Sequence, residues 1–170
     1  MVVVAIIAIL AIVAIPAFFS TSRKSKASSE TAAMFAELST KEEQYKIDKG
    51  TYFAAAASTA TNTATCPAAP SSTLQSVAAC IVPATPWATL HVNPPDSQVY
   101  CSYAITVGPS TSAPAPPAPF TMASDGTSPA PISAWYFIVA TCDMDGNPGV
   151  NSTYFMSSMD TRIQSNNPGN

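Results

Sequence analysis

The sequence predicts an α+β protein, a long N-terminal helix packed on a small antiparallel β-sheet. Residues 1–50 form the helix and residues 51–170 a globular head. Three observations carry this prediction. Residues 1–19, MVVVAIIAILAIVAIPAFF, hold no charged or hydroxyl side chain, and residues 20–48 hold neither Gly nor Pro. Strand-like runs occur only in the second half, at 98–107, 134–142 and 153–159. Four cysteines, Cys66, Cys80, Cys101 and Cys142, are placed to staple that half.

The apolar run comes first. As a helix it is roughly 28 Å long, close to the hydrocarbon thickness of a bilayer. A cleaved secretory signal carries its basic residues before the apolar core, whereas Arg23, Lys24 and Lys26 follow it here, so the segment is expected to be kept. Pro16 removes a backbone donor and is expected to loosen the helix between Ile12 and Pro16. Basic residues just after a span favour an internal head by the positive-inside rule, while the cysteines argue for an external one.

Residues 20–50 continue the helix as an amphipathic segment. Ala27, Thr31, Met34, Leu38 and Tyr45 recur at helical spacing and make a narrow stripe, with Glu30, Lys41, Glu42 and Lys46 mainly elsewhere. Glu42 and Lys46 are expected to pair at i,i+4, and Gly50 to end the helix. The Ala/Ser/Thr tract at 54–65 reads as a short helix or a loop, and Pro83, Pro86, Pro94 and Pro95 punctuate the chain beyond it. Then Val99, Cys101, Tyr103, Ile105 and Val107 alternate along one strand face, and 134–142 is the near-continuous apolar run of a central strand. The prolines of 108–119 forbid regular pairing and predict an exposed, extended loop. Asp145-Gly146-Asn147 predicts a turn before the third strand.

Composition narrows the function classes. The 170 residues are 47% hydrophobic but only 10% charged, with 7 Lys+Arg and 10 Asp+Glu for a net charge of −3. Residues 1–49 carry six basic and five acidic residues (+1), and residues 50–170 carry Arg162 against five aspartates (−4). Such a head offers nucleic acid no basic surface. Its neutral surface suits cover by membrane, by neighbouring copies or by O-linked sugar on the Ser/Thr/Pro-rich stretches.

Cys66–Cys80 would close a short loop and Cys101–Cys142 would join two predicted strands, so that pairing is expected. Gaps of 14, 21 and 41 residues do not suit zinc. His91 is the only histidine, no nucleophile motif flanks a serine, and no glycine-rich phosphate cradle occurs, so no enzyme is expected. Asp143, Asp145, Asn147 and Asn151 are the candidate metal ligands, in a calcium loop or, without any metal, a tight turn. The glycine falls too early for an EF-hand, and no acidic residue closes the loop. Asn151-Ser152-Thr153 matches a glycosylation acceptor pattern.

The apolar string with its Pro16, the basic cluster after it, and the amphipathic helix running to Lys49-Gly50-Thr51-Tyr52 resemble the N-terminal region of type IV pilins. The resemblance covers residues 1–52. It implies that a few residues stand before Met1 in the mature family chain, among them a methylated phenylalanine and a glutamate that aids assembly, with a basic leader cut off by a prepilin peptidase. It implies a structural subunit of a pilus filament whose core is built from Val4, Ile7, Leu10, Val13, Pro16 and Phe18. The implied partners are identical subunits, the inner membrane before assembly and a pilus assembly platform driven by a cytoplasmic ATPase. The implied location is the extracellular surface, and the implied uses are twitching motility, adhesion or DNA uptake. Calcium sites known in related pseudopilins favour the calcium option without locating its ligands. A pseudopilin or minor pilin, and a monomeric membrane-anchored adhesin, are the competing expectations. Phe18, Phe19, Phe35 and Tyr45 read as packing residues, not an electron path.

Overall fold

The computed structural model describes residues 2–53, 61–62, 65–123, 133–147 and 149–168; over 2–20 and at 61–62 it describes the backbone alone, apart from the side chain of Ile7. Most of the Ala/Ser/Thr tract at 54–65 lies outside the described residues. Helix α1 spans Val2–Lys49 without interruption. At 1.5 Å per residue it is about 72 Å long. Pro16 does not divide it. The helix stops where a left-handed residue is needed: Gly50 has φ +79° and still donates its N–H to the Lys46 carbonyl at 2.8 Å.

Among the described residues seven strands follow, with a 3-10 turn at Ala78–Cys80 and a short helix, α2, at Pro86–Thr89. They are β1 (Thr61–Asn62), β2 (Gln75–Ser76), β3 (Gln98–Val99), β4 (Cys101–Gly108), β5 (Trp135–Cys142), β6 (Ser152–Ser157) and β7 (Gln164–Asn166). Five form one antiparallel sheet in the order β1-β4-β5-β6-β7, and β2 pairs with β3 separately. The mixed helix-and-sheet class expected from the sequence is therefore present, and β5 is central, as its unbroken apolar run requires.

Alternation along the strands gives the sheet two apolar faces. Cys101, Tyr103, Ile105 and Val107 of β4, with Tyr136, Ile138, Ala140 and Cys142 of β5, form the main core with Ala27, Met34, Phe35 and Leu38 of α1. On the opposite face, Trp135, Phe137 and Phe155 make a smaller cluster with Phe120 and Met122. The proline-rich segment before Phe120 is irregular, as expected, but it is not simply exposed. Pro114 is buried, and the Ser112 carbonyl accepts the Trp135 indole N–H at 2.8 Å. The segment leads Phe120 and Met122 across a sheet face that would otherwise meet water.

The first predicted strand is broken. Residues 98–99 pair with β2, and the five-stranded sheet begins only at Cys101. The N–H groups of Tyr100 and Cys101 are taken by the Glu30 carboxylate of α1, which turns the chain from one sheet to the other. Both expected disulfides, Cys66–Cys80 and Cys101–Cys142, are present, the second between directly opposed residues of β4 and β5.

Candidate functional site

The most organised polar arrangement is the seat that fixes the second half of α1 on the head. Its apolar stripe is the expected one, with Ala27, Thr31, Met34 and Leu38 buried and Tyr45 partly so, joined by Phe35. The Thr31 hydroxyl satisfies itself on the Ala27 carbonyl at 2.7 Å, which lets a polar residue sit in this stripe.

Glutamates do the anchoring. Glu30 accepts the backbone N–H of Tyr100 at 2.8 Å and of Cys101 at 2.9 Å, and the Tyr103 hydroxyl at 2.8 Å. Burial, and then the Glu30 charge, hold the Tyr103 phenol protonated far above its ordinary range. Glu37 accepts the Asn93 N–H at 2.7 Å and pairs with Lys41 at 3.9 Å. Glu43 accepts the Tyr52 hydroxyl at 2.9 Å, while the Lys46 ammonium donates to the same hydroxyl at 3.0 Å and stands over the Tyr52 ring. Burial, then the Glu43 hydrogen bond, likewise push the Tyr52 phenol upward.

Glu42 corrects the sequence reading. Expected on the solvent side and paired with Lys46, it is 0% exposed, and no Glu42–Lys46 ion pair occurs among the described residues. One carboxylate oxygen accepts the Phe53 N–H at 3.0 Å, and the other is buried without a partner among the described residues. Burial pushes its pKa up to about 7, the Phe53 N–H opposes the rise and the Glu43 charge adds to it. Lys46 is drawn instead to Tyr52. Four carboxylates therefore clamp α1 at three levels: the start of β4, the loop after α2, and residues 52–53. Helical periodicity cannot reveal these roles, because their partners, backbone N–H groups for Glu30, Glu37 and Glu42 and tyrosine hydroxyls for Glu30 and Glu43, lie outside the helix.

The predicted cation ligands lie in the β5–β6 connection. Asp143 accepts the Gly146 N–H at 2.7 Å, Asp145 that of Asn147 at 2.9 Å, and Asn147 that of Gly149 at 3.3 Å. Gly146 has φ +77°. These are the side-chain-to-backbone bonds of a tight turn, the other reading the sequence offered. The side-chain amide oxygen of Asn151, Oδ1, is buried without a partner among the described residues. No group of three His, Cys, Asp or Glu among the described residues is arranged to hold a metal ion. Ser152 of the glycosylation pattern is buried and donates to the Asn167 carbonyl at 2.9 Å. His91 is exposed, in a left-handed turn after α2.

Of the residues expected in a filament core, Ile7 is 61% exposed; the side chains of Val4, Leu10, Val13, Pro16 and Phe18 lie outside the described residues. Among the described residues no helix is long and apolar enough to cross a membrane, a statement that leaves out the apolar run 1–19, whose side chains other than that of Ile7 are not described. No protein-family model, curated protein or solved structure matches the chain.

Proposed function

We propose that this chain is a structural subunit of a type IV pilus-like filament, held in the inner membrane by the apolar part of α1 before assembly and exported to the cell surface within the filament. The observation that carries this reading is the continuity of α1: one helix runs from the apolar residues at its start into a head that grips its second half. A filament subunit needs that coupling. A pull on the apolar segment is transmitted through one rigid rod to the core residues Met34, Phe35 and Leu38 and to the glutamate clamps, without a flexible linker in between. A segment stored in the bilayer moves into a bundle of identical segments without meeting water, and repeated head-to-tail contacts give an open helix. Two disulfides suit a head that works outside the cytoplasm.

The test is to shear cells, image the released fraction by electron microscopy and measure the intact mass of this subunit in it. Abundant filaments containing the chain support a major filament subunit. Rare, short filaments replace it with a pseudopilin or minor pilin. Retention of the chain in the membrane with no filament replaces it with an anchored binding domain.

A further inference from the structure

We infer that Arg23, Lys24 and Lys26 form a collar that binds the anionic headgroups of phospholipids at the bilayer surface on which the head stands. This inference rests on the proposal that residues 1–19 enter the membrane. Height along α1 is the first argument. The helix is continuous, so Lys24 and Lys26, five and seven residues beyond Phe19, stand about 7–10 Å past the end of the apolar run. A bilayer is about 30 Å thick in hydrocarbon and about 40–45 Å with its headgroups, so the polar layer on each side is about 5–8 Å deep. Helical side chains lean toward the N-terminus, and lysine stems lie readily along apolar surface with the ammonium in the polar layer. The two ammonium groups therefore lean back to the level of the phosphates.

Availability is the second argument. Lys24 and Lys26 are exposed and take part in no ion pair among the described residues. Glu30, four residues on from Lys26, is the acid that helical spacing would bring to it. Its carboxylate is instead turned onto Tyr100, Cys101 and Tyr103. The clamp that seats the helix thus turns the i+4 acid away from Lys26, and the half-buried Arg23 adds a third positive charge. Among the described side chains of α1 the first buried one is Ala27, so the collar stands just before the part of the helix that packs on the head.

Across an open groove of about 500 Å³, Lys26 and Ser29 face Leu74, Asp96 and Gln98 of the head. Leu74 is 48% exposed, which brings an apolar side chain to the same level, with Asp96 as the head's acid on that wall. A long polyanion would meet the −4 charge of the head, whereas a lipid headgroup at the collar meets Asp96 alone of the head's acids on the facing wall of the groove. Each cation near an anionic membrane surface favours it about fivefold.

The test uses the full chain in vesicles of equal parts phosphatidylglycerol and phosphatidylcholine. Flotation is followed by gentle detergent extraction and mass spectrometry of the lipids that stay with the protein. The wild type is expected to retain phosphatidylglycerol several-fold over phosphatidylcholine at low salt, with the preference shrinking at high salt. K24Q/K26Q is expected to float equally well, melt at the same temperature and lose the preference. Flotation with equal retention of the two lipids, or a preference unchanged in K24Q/K26Q, overturns the collar alone. Failure of the wild type to float overturns the membrane reading and the collar with it.

Discussion

Glu42 brings an ionisable carboxyl to a position with no solvent exposure, and its pKa of about 7 has a consequence for stability whose sign is fixed. In the unfolded chain the group loses its proton near its ordinary value of 4.5, while in the folded chain it keeps the proton to about 7. As pH rises between these values the unfolded state binds fewer protons than the folded one, so stability falls across that window and levels off above it. The loss is on the order of 3 kcal/mol. Glu42→Gln keeps an acceptor for the Phe53 N–H and removes the charge, so it is expected to stabilise the protein by roughly that amount at pH 8 and by little at pH 4. Denaturant midpoints of the two proteins at both pH values check this, and a pH-independent difference would show that Glu42 does not titrate in the window. None of this is legible in the sequence. Glu42 stands four residues past Leu38 and so belongs geometrically to the apolar stripe, yet a carboxylate there reads as solvent-facing until the Phe53 N–H is placed opposite it. Glu30 is hidden for the same reason.

Elements were legible in proportion to their length and periodicity. β4, β5 and β6 follow from alternation and from a continuous apolar run, and the helix end follows from Gly50. β1, β2, β3 and β7 are two or three residues long, too short to carry a period. The break at Tyr100 is imposed by a glutamate from another element, and burial of the proline-rich segment is imposed by Trp135. That pair of elements meets at Gly108, which lies directly opposite Trp135 in the β4–β5 register. A Cβ on Gly108 would overlap the indole ring, so no other residue fits without moving Trp135. Gly108→Ala is expected to cost about 1–3 kcal/mol and to loosen the Ser112 contact, read as a lower melting temperature and a red-shifted tryptophan emission. The turn before α2 offers the opposite case. Pro83 and Ala84 are its central residues, closed by the Thr85 N–H on the Val82 carbonyl at 3.2 Å, and Ala84 has φ +74°. That position of a type II turn favours glycine. Ala84→Gly is therefore expected to stabilise by about 0.5–1 kcal/mol, since relief of the left-handed strain outweighs the added freedom of the unfolded chain. An unchanged or lower denaturant midpoint would refute it.

At the scale of the whole molecule the same helix belongs to two environments, and the burial pattern divides them. Every α1 side chain buried against the head, among those described, lies at Ala27 or beyond, and the four clamping glutamates lie between residues 30 and 43. The charge pattern divides there too, with the basic collar at 23–26 between an apolar run and a weakly acidic head. If the head owes its stability to the second half of α1 alone, a chain beginning at Thr21 should keep both disulfides and the full sheet. Its melting temperature, measured beside that of the intact chain in one detergent, should then differ by less than the roughly 2–4 °C that 1 kcal/mol produces in a domain of this size. If assembly runs through the first half, the same shortened chain should float with no vesicle and enter no filament, even when mixed with the intact protein. The two readouts separate folding from assembly. A large drop in melting temperature would place part of the head's stability in residues 1–20, and entry of the shortened chain into filaments would move the assembly contact onto the head.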